Sequence, residues 1–169
     1  MGAPVSTQQW SPDFVAQTLE VLPVYLVNGA LFWMKPIHAG SLRIGLSPKD
    51  TPANAVLDVL KRYPLEPVVV HSTSWRHEEG RVVLTYVAVV KPALKLPPDS
   101  LVELPVSRAA LARGEAMAAP KAIGVDAVLE HALRHLSWLV KDDPAVMQTL
   151  TGWRGALERY QPEPFRELS

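Results

Sequence analysis

The stretch Arg81 to Val90 constrains the fold of this chain more than any other segment. In an extended strand Val83, Val87 and Val89 point one way while Val82, Leu84, Tyr86 and Val90 point the other, so both faces are apolar. A strand with two apolar faces belongs at the centre of a sheet that is covered on both sides. The preceding run, Val68 to Arg76, also reads as a strand, and His77, Glu78, Glu79 and Gly80 join the two, with glycine supplying a positive φ. A hairpin inside a two-sided sheet implies an α/β/α sandwich.

The remaining elements alternate around that hairpin. Ser11 and Pro12 form an N-cap and first-turn pair, and Phe14, Val15, Thr18, Leu19 and Leu22 make one apolar face as far as Pro23, which predicts an N-terminal helix. Val24 to Lys35 is rich in valine, leucine and aromatics, with Asn28 and Gly29 as its turn, and Leu42 to Leu46 is a further short strand. Thr51 caps and Pro52 opens a helix that runs to Tyr63 and stops at Pro64. Lys91 to Ser100 contains Pro92, Pro97 and Pro98 and is a surface connection, followed by a strand at Leu101 to Val106 and a short helix capped by Ser107 and ending near Gly114. From Val125, the residues Val128, Leu129, Ala132, Leu133, Leu136, Leu139 and Val140 recur at helical spacing, and Asp143 with Pro144 opens another C-terminal helix that Gly152 breaks. The organisation expected is a flexible terminus over 1–10, a single domain over 11–160 and a tail over 161–169.

Composition narrows the chemistry. The chain has 169 residues, 48% hydrophobic and 20% charged, enough for one domain with a substantial core. Its 17 basic and 17 acidic residues cancel, which gives no net electrostatic case for a nucleic-acid or anionic-membrane partner. The absence of cysteine excludes disulfides, thiolate metal sites and a cysteine nucleophile, and accords with a cytoplasmic location. No apolar run reaches transmembrane length.

The order of a strand pair, the helix from Thr51 to Tyr63, a long hairpin, a proline-rich connection and a late helix resembles the Nudix fold over roughly Val24 to Val140. The family's box runs from a glycine through an early glutamate to arginine, glutamate, an aliphatic and paired glutamates on the helix, then a late glycine and aliphatic. In the best register Arg43 stands at the early glycine, Lys49 at the early glutamate, Leu57 at the arginine, Asp58 at the next glutamate and Val59 at the aliphatic. Lys61 and Arg62 stand at the paired glutamates, with Pro64 and Leu65 closing the box. Only the apolar positions and Asp58 match. The paired glutamates hold divalent cations that neutralise a pyrophosphate and orient water, which takes hard oxygen ligands on one helical face. Two cations in their place repel the metal. The resemblance therefore implies a Nudix-like fold with a degenerate box, and a non-catalytic role with no cofactor or metal. Asp58 with Arg62 reads as an exposed i to i+4 ion pair.

The run from His71 to His77 carries more polar side chains than a two-sided strand should. Strict alternation puts His71, Thr73 and Trp75 on one face and Ser72, Ser74 and Arg76 on the other. A tryptophan beside an arginine and hydroxyls can stack a base and hold a phosphate, so His71, Thr73, Trp75 and Arg76 are the candidate ligand-binding residues. The ligand or partner expected is a nucleotide-like small molecule or a protein. Two alternatives stand beside this one: a divergent metal-dependent hydrolase of nucleoside diphosphate derivatives using Glu78, Glu79 or Glu103, and a structural homodimer joined through the aromatic C-terminal region of Trp138, Trp153, Tyr160 and Phe165. His131 and His135 have a spacing that can chelate zinc, but no further ligand is evident in the sequence.

Overall fold

The computed structural model describes residues 16–92, 96, 99–106 and 123–160. These form a mixed sheet with helices on both faces. The strands are β1 (Gln17–Val27), β2 (Ala30–Pro36), β3 (Leu42–Leu46), β4 (Pro67–Glu78), β5 (Arg81–Val90) and β6 (Leu101–Pro105). The helices are α1 (Pro52–Arg62), α2 (Val125–Asp142), α3 (Pro144–Thr149) and α4 (Arg154–Leu157), the last followed by a 3-10 turn at Glu158–Tyr160. The strand order is β4-β5-β1-β2-β6, and β3 pairs with β1.

β5 lies between β4, antiparallel, and β1, parallel, and its two faces feed two separate cores. Val87 and Val89 join Leu22, Val24 and Trp33 beneath α2 and α4, while Ala88 and Val90 join Leu19, Val21, Tyr25 and Met34 beneath α1. Fully burying one such aliphatic side chain is worth about 1.5–3 kcal/mol. Burial on both faces is thus the reason the strand reads apolar throughout.

The described part of the expected N-terminal helix is a strand. That part, Gln17 to Leu22, is the first half of β1, and residues 11–15 lie outside the described residues. Thr18, Leu19 and Leu22 fit a helical stripe, but Leu19 and Val21 on one face and Leu22 and Val24 on the other fit a two-sided strand equally well, and short apolar runs do not separate the two. Pairing decides. β1 meets β5 from Gln17 to Val24, β3 from Gln17 to Val21 and β2 from Val24 to Val27. Pro23 falls in the gap where neither β3 nor β2 pairs with β1, a position in which a missing backbone donor costs little.

The first hairpin turn falls where the sequence places it, and the second is tighter than the sequence suggests. Val27 pairs with Ala30 and Glu78 with Arg81, which leaves two-residue turns at Asn28–Gly29 and Glu79–Gly80. All four turn residues have positive φ, as a type I′ turn requires. The loop expected over His77 to Gly80 is therefore shorter, and β4 reaches Glu78.

α1 packs Val56, Val59 and Leu60 against the sheet. Pro52 opens it, and Lys61 and Arg62 sit in the last turn, where cations complement the helix dipole. Asp58 pairs with Lys61 at 3.6 Å, not with Arg62. α3 starts as expected: the Asp143 carboxylate accepts from the backbone N–H groups of Ala145 and Val146. Of the C-terminal aromatics, Trp153 and Tyr160 are core residues and Trp138 is half exposed. The helix expected after Ser107, and Phe165, lie outside the described residues. No described helix is long and apolar enough to cross a membrane.

Candidate functional site

One row of side chains across the sheet is polar where its neighbours are apolar. In the strand register Arg43 of β3 stands opposite Glu20 of β1, and Glu20 stands opposite Thr85 of β5. Arg76 of β4 reaches the same point from the far side of β5. Glu20 has no solvent exposure, yet both its oxygens are fully engaged. Its Oε1 accepts from Ser41 Oγ at 2.7 Å, Arg43 Nε at 3.1 Å, Arg43 Nη2 at 2.9 Å and Arg76 Nη2 at 3.1 Å. Its Oε2 accepts from Arg76 Nη1 at 2.8 Å and Thr85 Oγ1 at 3.0 Å.

The same two guanidinium groups present their other edges to Glu78. Arg43 Nη1 and Nη2 donate to its two carboxylate oxygens at 2.9 and 3.1 Å, a bidentate fork, and Arg76 Nε donates to Oε2 at 3.2 Å. The result is a four-membered ring of two acids and two bases, one carboxylate at the bottom and the other, 39% exposed, at the mouth. Burial pushes the Glu20 carboxyl up, but hydrogen bonds from Arg76 and Ser41 and the charges of Arg76 and Arg43 outweigh it and hold it at about 2. The Arg43 hydrogen bond holds Glu78 below the usual carboxylate range, and the bond to Glu78 in turn raises Arg43.

Above the ring lies an open cleft of about 430 Å³ lined by Thr18, Arg43, Ile44, Gly45, Glu78, Glu79, Arg81 and Val83. Its walls are β3 and the β4–β5 turn. Gly45 keeps one wall low, with open space where a Cβ would stand.

The four residues selected from the sequence do not converge. Strict alternation along β4 fails because Thr73 forms a bulge: Ser72 pairs with Tyr86 and Ser74 with Thr85, so Thr73 has no partner in the register. Past the bulge the faces exchange. His71 and Arg76 come onto the face beneath α2, and Trp75 goes to the other. Thr73 is buried, its hydroxyl donating to the Thr85 carbonyl. Trp75 is 66% exposed and meets the His77 ring edge to face at 5.8 Å. His71 lies 5.9 Å from His135, whose ring is 4.7 Å from His131. Of the four, only Arg76 joins the polar ring.

No motif or spacing in the sequence points to Glu20, Ser41 or Thr85, and Arg43 enters the sequence reading only at the early glycine of the box. A single acid between Leu19 and Val21 is the signal for Glu20, and it emerges only when the segment is read as a strand.

Among the described residues, the acids do not form a donor set that fits the divalent cation a Nudix hydrolase uses. Asp58, the sole acid of α1, is exposed and paired with Lys61. The Glu78 oxygens are taken by arginines, and Glu103 lies on β6, with three strands between it and β4, hydrogen-bonded to Tyr25. Among the described residues no three histidine or acidic side chains are grouped so as to hold a metal.

No protein-family model matches this chain, and no curated protein matches it. Among solved structures it is similar to the NUDIX domain of Shewanella oneidensis NrtR, crystallised with ADP ribose, at 13% identity over 57% of this chain and 79% of that one, with a TM-score of 0.34. It is similar also to the E. coli ORF135 protein, at 16% identity over 53% and 74%, with a TM-score of 0.32.

Proposed function

We propose that this is a non-catalytic Nudix-like protein that binds a nucleotide-like ligand in the cleft between β3 and the β4–β5 turn, working in the cytoplasm. The observation that supports a ligand there is the pre-set position of Arg43. Its guanidinium is fixed from below by Glu20 and Ser41 and lines a cleft with room for a small molecule. Arginines held by packing and hydrogen bonds need lose little freedom on binding. A non-catalytic role is supported by α1, whose buried face is aliphatic and whose last turn is basic, so the helix serves as a cover for the sheet. From the candidates read in the sequence, Arg76 carries over into this site through its contacts with Glu20 and Glu78. Trp75 faces away from the cleft.

The test is calorimetric titration with ADP, ADP-ribose and nucleoside diphosphate sugars, run beside phosphorus NMR in magnesium and in manganese. Binding without turnover, weakened by Arg81→Ala, is the expected result. Metal-dependent turnover of any of these compounds would overturn the non-catalytic reading, and absence of binding across the panel would overturn the ligand.

A further inference from the structure

Glu78 holds a place in the ring that the ring does not need for its own integrity. Arg43 and Arg76 are each anchored to Glu20, with Ser41 and Thr85 completing that lower layer. Take Glu78 away and both guanidinium groups keep those partners. What is left at the mouth is the outer edge of each, aimed at one point, with a net charge of +1 from two arginines and one buried glutamate. Two arginine edges converging on a single accessible point form a receptor for a multiply charged oxyanion, because each planar fork can give two parallel N–H bonds. Phosphate offers the oxygens that two forks can share. A carboxylate fills the point only in part.

Glu78 is also the member best able to leave. It is the last residue of β4, next to the two-residue turn, partly exposed, and it lines the open cleft with Arg43. Arg81, its partner across the hairpin, stands on the same cleft wall and offers the displaced carboxylate a cation.

Building on the cleft proposed above, we infer that Arg43 and Arg76 form a phosphate subsite that Glu78 occupies as an internal stand-in, and that the phosphate of the ligand binds by displacing it. Glu79 on the same rim opposes an anion and keeps the unaided affinity low.

The probe is inorganic pyrophosphate. Glu78→Gln removes the stand-in charge and keeps the side-chain shape, and should raise pyrophosphate affinity roughly tenfold over the wild type, the equivalent of about 1.4 kcal/mol. Arg43→Met in the Glu78→Gln background should cancel the gain. Unchanged or weaker binding by folded Glu78→Gln would overturn the inference. A second measurement uses the wild-type chain alone, labelled at glutamate carboxyl carbons. Saturating pyrophosphate should return the Glu78 titration toward the usual carboxylate range and leave Glu20 at its low value. A Glu78 resonance unmoved at saturation overturns the displacement. ADP separates the two readings. If ADP binds no more tightly than pyrophosphate, the subsite stands and the nucleotide reading fails. If ADP binds without moving Glu78, the ligand reading stands and the subsite fails.

Discussion

Glu20→Gln is the perturbation that tests the polar ring most directly. The substitution keeps size and shape and removes one charge at a site with no solvent exposure. A carboxyl held at about 2 in place of 4.5 stabilises the folded state by roughly 3 kcal/mol near neutral pH, at about 1.4 kcal/mol per pH unit. An independent route gives a similar figure: removing one partner of a buried ion pair costs about 3–5 kcal/mol, because the other charge stays desolvated. Arg76, whose side chain is only 13% exposed, is that other charge. The assay is urea unfolding of both proteins across pH. Since the folded value lies below the unfolded one, the contribution of Glu20 is fully present above 4.5 and disappears as pH falls toward 2. The wild-type advantage should be near 3 kcal/mol at pH 7 and shrink through that window. A loss under about 1 kcal/mol, the range of exposed pairs, or a difference that ignores pH, would refute the account.

Three further outcomes follow from other parts of the molecule. Burial lowers the folded values of His71 and His135, the latter also through the charges of His131 and His71. Their neutral forms therefore favour folding above the ordinary value of 6.5, and the protection factors for hydrogen exchange at the α2–β4 contact should fall as pH drops below it and less so in His135→Asn. Leu133→Ala, at a position with no exposure between α2 and the sheet, should cost about 2–5 kcal/mol of unfolding free energy in urea. Gly80→Ala meets no atom within 4 Å, so its expected cost of about 1–2 kcal/mol comes from the positive φ alone, and a thermal scan showing no loss would remove the type I′ assignment.

The sequence makes the central hairpin legible because burial on both faces imprints valine and leucine at successive positions of Arg81 to Val90. Thr51 to Tyr63 is equally plain, with a cap, a proline at the start and an apolar stripe. β1 is hidden for two reasons. Its first half offers a helical stripe as well as a strand pattern, and its identity depends on β3, β2 and β5, which are distant in the chain. The site is less legible still. It takes one residue from each of β1, β3 and β5, two from β4, and Ser41 just before β3, so no spacing within a segment announces it. Thr73 adds a second obstacle: a bulge is invisible to strict alternation, and it transfers Arg76 to the face that holds Glu20 while sending Trp75 to the opposite one.

A ring of charges built on a buried pair is a poor way to stabilise a sheet. The desolvation of Glu20 and Arg76 is repaid only by good geometry, and well-packed apolar residues in place of a buried pair are often neutral or more stable by about 1–4 kcal/mol. The adjacent rows show the alternative, for Leu19, Val21 and Leu22 of β1 are fully packed aliphatics. Folding stability alone does not require the ring to be polar. Its geometric product is two guanidinium groups held from beneath by Glu20, with their outer edges on Glu78 at the rim of a cleft that Arg43 and Glu78 line. The combined substitution Glu20→Leu, Arg43→Leu and Arg76→Met should accordingly match or exceed the wild type in urea while losing pyrophosphate binding in the Glu78→Gln background. A triple variant that folds several kcal/mol less stably would show instead that the ring is structural, with its arginines fixed for the sake of the sheet.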